Sequence, residues 1–256
     1  MDKGFPLKMN IDDRSPAWFG AGDYGMDTGP SAVAIVDLAC KLVLPMSVVD
    51  VGCGTGRFLE EFEGQGVLSV LGLDGLPAAK AFGPDRSKFL VVDLTKPVVI
   101  DRRFDLALCL EVAEHLPPES ADLLVKTLTD MAPIVIFSAA HPNQGGQGHI
   151  NEQWPIYWYR RFARHGYVAL DLLRGPLSDI PEVLDCYRRN LVLYVESSRV
   201  AEILERADDF DIPDAYVLAH QRGITVDLLH QPWRVLVGTL VRKLTKRLRL
   251  QRGETR

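Results

Sequence analysis

The sequence predicts an α/β protein with a doubly wound, mostly parallel sheet, and three observations predict it. Between residues 48 and 138, short apolar and β-branched runs alternate with stretches of helical periodicity, the pattern of a parallel sheet covered by helices on both faces. Asp50, Asp74 and Asp93 stand at the ends of the first three runs, at the carboxyl edge where such sheets gather polar groups. The first run, Val48 to Val51, breaks into glycines at alternate positions, Gly52, Gly54 and Gly56. Glycines there let the chain turn sharply with its backbone N–H groups bare.

The elements follow in order. Residues 1–30 are rich in Gly, Asp and Pro with scattered aromatics and read as an irregular arm. Gly29-Pro30-Ser31 is a helix entry with Ser31 as expected N-cap. Val33, Ile35, Val36, Ala39 and Leu42 form its apolar stripe, and Pro45 stops it. After the glycine turn, Phe58, Leu59 and Phe62 form the inner face of a second helix. Further apolar runs follow at Leu68–Leu73, Phe89–Val92, Phe104–Leu110 and Ile134–Ser138. A helix over Glu119–Met131 has Leu123, Leu124, Leu128 and Met131 as expected core positions. Gly145, Gly146 and Gly148 then make a loop bracketed by His141 and His149. Trp154, Tyr157, Trp158 and Tyr159 crowd the start of a helix running to about His165, half of them expected in the core. A sixth run at Val168–Leu173, an insertion at 174–188 and a seventh run at Asn190–Glu196 complete the fold. The domain thus spans 31–200, and 201–256 is a C-terminal helical extension.

With 256 residues and 47% hydrophobic content, the chain is expected to bury one sizeable core in one domain. Cys40, Cys53, Cys109 and Cys186 are scattered, so neither a zinc site nor a disulfide framework is indicated. The acid-bearing N-terminus lacks the apolar stretch of a signal peptide. No run reaches the roughly 20 apolar residues of a spanning helix, and a cytoplasmic location is expected. Residues 234–256 hold eight Lys/Arg against Glu254 alone, +7 in a chain of total charge −5, so residues 1–233 carry −12. Trp233, Leu236, Val237, Leu240, Leu244 and Leu248 recur at helical spacing among those cations. A basic amphipathic segment over 233–250 is of the kind that contacts an anionic membrane face peripherally; docking on its own domain or a second subunit is the alternative. The acidic body argues against a nucleic-acid partner. The oligomeric state stays open.

Strand, glycine turn and helix together make a nucleotide-binding arrangement. The dinucleotide fingerprint G-x-G-x-x-G fails, because its third glycine would fall at Arg57. Asp50 followed by the loop G-x-G-x-G instead resembles the first motif of the class I S-adenosylmethionine-dependent methyltransferases. That resemblance implies a seven-stranded sheet in the order 3-2-1-4-5-7-6, with S-adenosyl-L-methionine as cofactor. It implies that Asp50, Gly52, Cys53, Gly54 and Gly56 seat the methionine part and that Asp74, with Gly75, holds the ribose. Asp93 and Leu94 would lie beside the adenine, with Leu110 and Glu111 at the methionine end. Glu111-Val112-Ala113-Glu114-His115-Leu116 resembles the segment after strand four in the ubiquinone-biosynthesis-like branch, which opens toward the substrate. A polar network capping the next helix is the other reading of Glu111, Glu114 and His115. The loop and aromatic helix from Ser138 to Trp158 resemble bacterial small-molecule and glycan-type O-methyltransferases.

Methyl transfer to oxygen needs a hydroxyl held in line and a base for its proton. His149 is the preferred base, because it adjoins the helix that would wall the pocket, and His141 is the second choice. The alternative is that both histidines only shape the loop. His141, His149 and Glu152 lack the tight spacing of a metal site, so no metal is expected. Trp154 and Tyr157, with Glu114 and His115, are the expected substrate contacts. Arg160, Arg161 and Arg164 are expected either to meet a phosphate or to be solvated. The resulting expectation is O-methylation of a small molecule or sugar. An N-methyltransferase acting on protein or RNA and a non-catalytic cofactor-binding protein are the alternatives.

Overall fold

The computed structural model of the chain describes residues 27–209. The arm up to residue 26 and the extension from residue 210, including the basic segment 233–250, lie outside the described residues.

The strands are β1 (Ser47–Val51), β2 (Ser69–Asp74), β3 (Phe89–Val91), β4 (Leu106–Leu110), β5 (Ile134–Ser138), β6 (Tyr167–Leu170) and β7 (Val192–Glu196). They form one sheet in the order β3-β2-β1-β4-β5-β7-β6. All neighbours are parallel except β7, which runs antiparallel to β5 and β6. This is the expected topology. Every residue of β4 and β5 is buried, as continuous apolar runs require in a sheet covered on both faces.

Helices α1 (Gly29–Val43), α2 (Arg57–Gly64), α6 (Arg174–Ser178), α7 (Asp185–Asn190) and α8 (Val200–Asp209) contribute to the core on one face. Helices α4 (Ala121–Met131) and α5 (Pro155–Arg164) contribute to the other. Side-chain alternation along β1 sends Val48 to the first core and Val49 and Val51 to the second. Phe58, Leu59 and Phe62 are buried as their spacing predicts. A short helix, α3 (Leu76–Ala81), follows β2.

Several boundaries differ from the expectation, each for a physical reason. The first helix begins at Gly29, because Pro30 is tolerated in a first turn where its missing N–H has no partner to lose. Ser31 is therefore inside the helix, not its cap, and its hydroxyl accepts the Leu184 N–H at 2.9 Å. Val33 is exposed, while Ile35, Val36, Ala39 and Leu42 are fully buried. The fourth helix starts at Ala121 after a single 3-10 turn over Pro118–Ser120, and Leu123 is only half-buried. The insertion folds into α6 and α7, and α7 runs through Asn190, so β7 starts at Val192. No helix of the described residues is long and apolar enough to cross a membrane.

Candidate cofactor and acceptor site

The glycine turn leaves β1 with Gly52, Gly54 and Gly56 all at positive φ, +84°, +52° and +82°. The N–H groups of Gly52 and Cys53 both donate to the Leu73 carbonyl, at 2.7 and 3.2 Å, which pins the turn against the end of β2. Asp74 closes the same junction: its carboxylate accepts the Gly54 N–H at 2.8 Å and the Gly75 N–H at 2.6 Å. Only glycine fits at 52, because a Cβ there would lie 2.3 Å from Cγ2 of Val112. The Val92 N–H donates to the Asp74 carbonyl at 2.8 Å, which brings the turn carrying Asp93 alongside. The glycine turn at 52–56 and the acids at 74 and 93 thus meet at one sheet edge, but the N–H groups of Gly52, Cys53, Gly54 and Gly56 are taken up by protein acceptors and are not bare as the sequence suggests. The Asp93 carboxylate is occupied by its own turn: it accepts the Thr95 N–H and hydroxyl at 3.0 and 2.6 Å and pairs with Lys96 at 2.9 Å.

A second polar cluster grows from the end of β4. Glu111 sits at φ +53°, in a region rarely adopted outside glycine and often found at functional sites. Its N–H donates to the Ser138 carbonyl and hydroxyl, both at 3.0 Å. Its carboxylate accepts the Asn190 amide at 3.1 Å and the Gln144 amide at 3.2 Å, and Asn190 also donates to Gln144 at 2.9 Å. Glu111 therefore joins β4, β5, the glycine loop and α7. Glu114 is wholly buried. Its backbone carbonyl accepts the N–H groups of Ile150 and Asn151, and its Oε1 accepts the Ala140 N–H at 3.2 Å. Both ends of the glycine loop are thus tied to one residue.

Within that loop, the two imidazoles of His115 and His149 meet edge to face with centroids 4.9 Å apart. Nδ1 of His115 lies 3.2 Å from the Gly148 carbonyl, and Nδ1 of His149 lies 2.9 Å from Glu152 Oε1. Glu152 also accepts the N–H groups of Asn143 and Gly145. Carbonyl and carboxylate partners at Nδ1 assign the proton to that nitrogen and the lone pair to Nε2. His141 stands apart, roughly parallel to Trp154 at 6.0 Å, with its Nδ1 buried and without a hydrogen-bond partner among the described residues.

The aromatics divide. Trp158 and Tyr159 are core, with Trp158 against Phe137. Trp154 is 58% exposed beside His141. Tyr157 points elsewhere: Arg161 stacks on its ring at 3.5 Å and its hydroxyl donates to the Pro118 carbonyl. Arg161 and Arg164 pair with Asp122, which accounts for both cations without a phosphate. Sequence reasoning missed Gln144 and Asn190 as partners of Glu111, and Glu152 as the group orienting His149. The His-x-x-Glu spacing of 149 and 152 was the one local signal for the last.

Burial dominates the electrostatics. Burial, and then the charge of Asp74, pushes Asp50 up to about 7. Burial also raises Asp74, against the two N–H bonds that favour its ionised form. Burial opposes ionisation of Asp93, but the Thr95 and Lys96 hydrogen bonds hold it below the usual carboxylate range. Burial and the neighbouring Glu111 drive Glu114 well above that range. Burial, aided by His149, lowers His115 to about 4, so its imidazole is neutral at pH 7. Asp50 makes a testable contribution to stability. An acid whose pKa is higher folded than unfolded binds its proton more tightly in the fold, so stability is lost as pH rises from about 4 to about 7. Asp50→Asn is expected to remove a loss of order 3–4 kcal/mol over that window, measured by thermal unfolding at pH 4 and pH 7. An unchanged difference between the two pH values would count against the assignment.

A sheet in the order 3-2-1-4-5-7-6, with an acid and a glycine turn at the end of its first strand, is the architecture of the class I S-adenosylmethionine-dependent methyltransferases. The chain belongs to the methyltransferase-domain family, whose model matches residues 32–171, and it is an S-adenosylmethionine-dependent methyltransferase. No curated protein matches it. Among solved structures it is similar to DesVI of Streptomyces venezuelae, at 15% identity and TM-score 0.52, covering 67% of this chain and 92% of that one. It is similar to the sugar N-methyltransferase KedS8 of a Streptoalloteichus species, at 16% identity and TM-score 0.52, covering 67% and 89%. A putative O-methyltransferase of Nostoc punctiforme matches at 13% identity and TM-score 0.53, covering 75% and 64%. At such identities these likenesses speak to the fold.

Proposed function

We propose that this methyltransferase moves the methyl group of S-adenosylmethionine to a hydroxyl oxygen of a small molecule or sugar. One observation carries the reading: an imidazole oriented by a carboxylate, His149 with Glu152 at 2.9 Å, stands in the loop that rises from the carboxyl edge of the sheet beside Glu111. An alcohol is a poor nucleophile until its proton is drawn off, whereas a neutral amine already carries its lone pair. A carboxylate-oriented imidazole is therefore a device for oxygen. The acceptor O–C bond forms as the methyl C–S bond breaks. The hydroxyl proton passes to Nε2 of His149, and S-adenosylhomocysteine leaves. Trp154, exposed beside His141, offers an aromatic face to a sugar or ring.

The test is incubation with S-adenosylmethionine labelled in its methyl group and cell extract, followed by fractionation. Label is expected in small molecules or glycans as an alkali-stable methyl ether. Label confined to RNA or protein would defeat the small-molecule or sugar reading.

A further inference from the structure

Glu114, His115 and His149 each place one ligating atom within 4.8 Å of the other two. The set differs from His141, His149 and Glu152, whose spacing in the sequence does not mark a metal site. Those residues come from two separate segments, the turn after β4 and the far end of the glycine loop. The loop's anchoring on Glu114 through Ile150, Asn151 and Ala140 is what assembles them.

We propose that this cluster binds one divalent first-row transition ion, with Glu114, His115 and His149 as ligands and the remaining positions open to the acceptor's hydroxyl groups. Three features support it. First, both imidazoles use Nδ1 on an oxygen acceptor, Gly148 O for His115 and Glu152 for His149. Metal-bound histidines are commonly oriented by such an outer hydrogen bond, which directs the Nε2 lone pair toward the ion. Second, Glu114 is wholly buried with Glu111 as its neighbouring carboxyl group. Two carboxyl groups sharing a buried site favour a proton or a cation between them. Third, two imidazoles and one carboxylate suit Mn²⁺, Fe²⁺, Co²⁺ or Zn²⁺ better than the all-oxygen-loving Mg²⁺ or Ca²⁺. Metal–ligand distances near 2.1 Å imply ligands about 3–3.5 Å apart, so the cluster must contract slightly on loading, by small side-chain rotations.

The inference rests on the acceptor reading above and changes one role within it. In the loaded protein, His149 holds the ion, and a hydroxyl bound to the ion is acidified enough to lose its proton to water. The O–C bond still forms as the C–S bond breaks.

The test uses full-length protein freed of metal with a chelator and titrated with Co²⁺, read by visible absorption. S-adenosylmethionine affinity is measured on the same samples by calorimetry. One equivalent of Co²⁺ is expected, with affinity at least tenfold weaker in His115→Gln and in Glu114→Gln, each still binding S-adenosylmethionine as proof of folding. Absence of stoichiometric Co²⁺ binding, or binding that neither folded variant weakens, overturns the metal site. If Co²⁺ fails while S-adenosylmethionine binds, only this inference falls. If Co²⁺ binds and the label appears only in RNA or protein, the site stands and the small-molecule or sugar reading falls.

Discussion

Gly52→Ala is expected to raise the S-adenosylmethionine dissociation constant at least about 100-fold, a loss of about 2.7 kcal/mol. Two penalties combine at that position. A non-glycine residue held at φ +84° carries on the order of 1–3 kcal/mol of backbone strain. The new Cβ would also lie 2.3 Å from Cγ2 and 2.8 Å from Cγ1 of Val112, and Val112 sits in the turn that carries Glu111. Relief requires the loop to move, which breaks the N–H bonds of Gly52 and Cys53 to Leu73 and shifts the Gly54 N–H off Asp74. Adding Val112→Ala removes both methyl contacts but leaves a tight Cβ–Cβ approach of 3.1 Å and the φ strain, so the double variant is expected to recover about tenfold in affinity. Calorimetry measures both, with circular dichroism confirming the fold. A single variant that binds within threefold of the parent would show that the turn does not seat the cofactor.

The second large effect belongs to His149. His149→Ala is expected to lower kcat by about 100- to 1,000-fold while leaving cofactor affinity within twofold, since loss of a positioned acid–base group costs about that much. The same fall is expected whether the imidazole takes the proton or holds an ion. Glu152→Gln separates positioning from chemistry: it keeps the shape of the side chain but loses the charge that fixes the His149 tautomer, and about a tenfold fall in kcat is expected. Single-turnover assays with saturating cofactor report the chemical step directly. Full turnover by His149→Ala would remove the imidazole from the reaction and return the choice of acceptor to nitrogen.

Much of the glycine turn and its flanking acids was legible in the sequence. Asp50, the three glycines and Asp74 lie within one strand–turn–helix–strand unit, where the demands of the backbone are local. The requirement at Gly52 for positive φ and no Cβ appears directly as residue type. Asp93 was legible in position but not in orientation, because Thr95 and Lys96 draw its carboxylate into the turn. The second polar cluster was less legible. Gln144 and Asn190 reach Glu111 across 33 and 79 residues, and no periodicity marks such pairs. Trp154 and Tyr157 look alike in sequence. Packing leaves the first exposed and places the second under Arg161.

By itself the sequence determined the sheet-and-helix alternation, the glycine turn and the acids at the carboxyl ends of the strands, because these follow from side-chain period and backbone freedom over a few residues. The tertiary structure alone decided which polar groups meet beyond that edge. Glu114, His115 and His149 converge only because β4 lies beside β5 in the sheet order and the loop after β5 is tied back to Glu114. Contacts of that range depend on how the whole chain closes its two cores, and no short stretch encodes them.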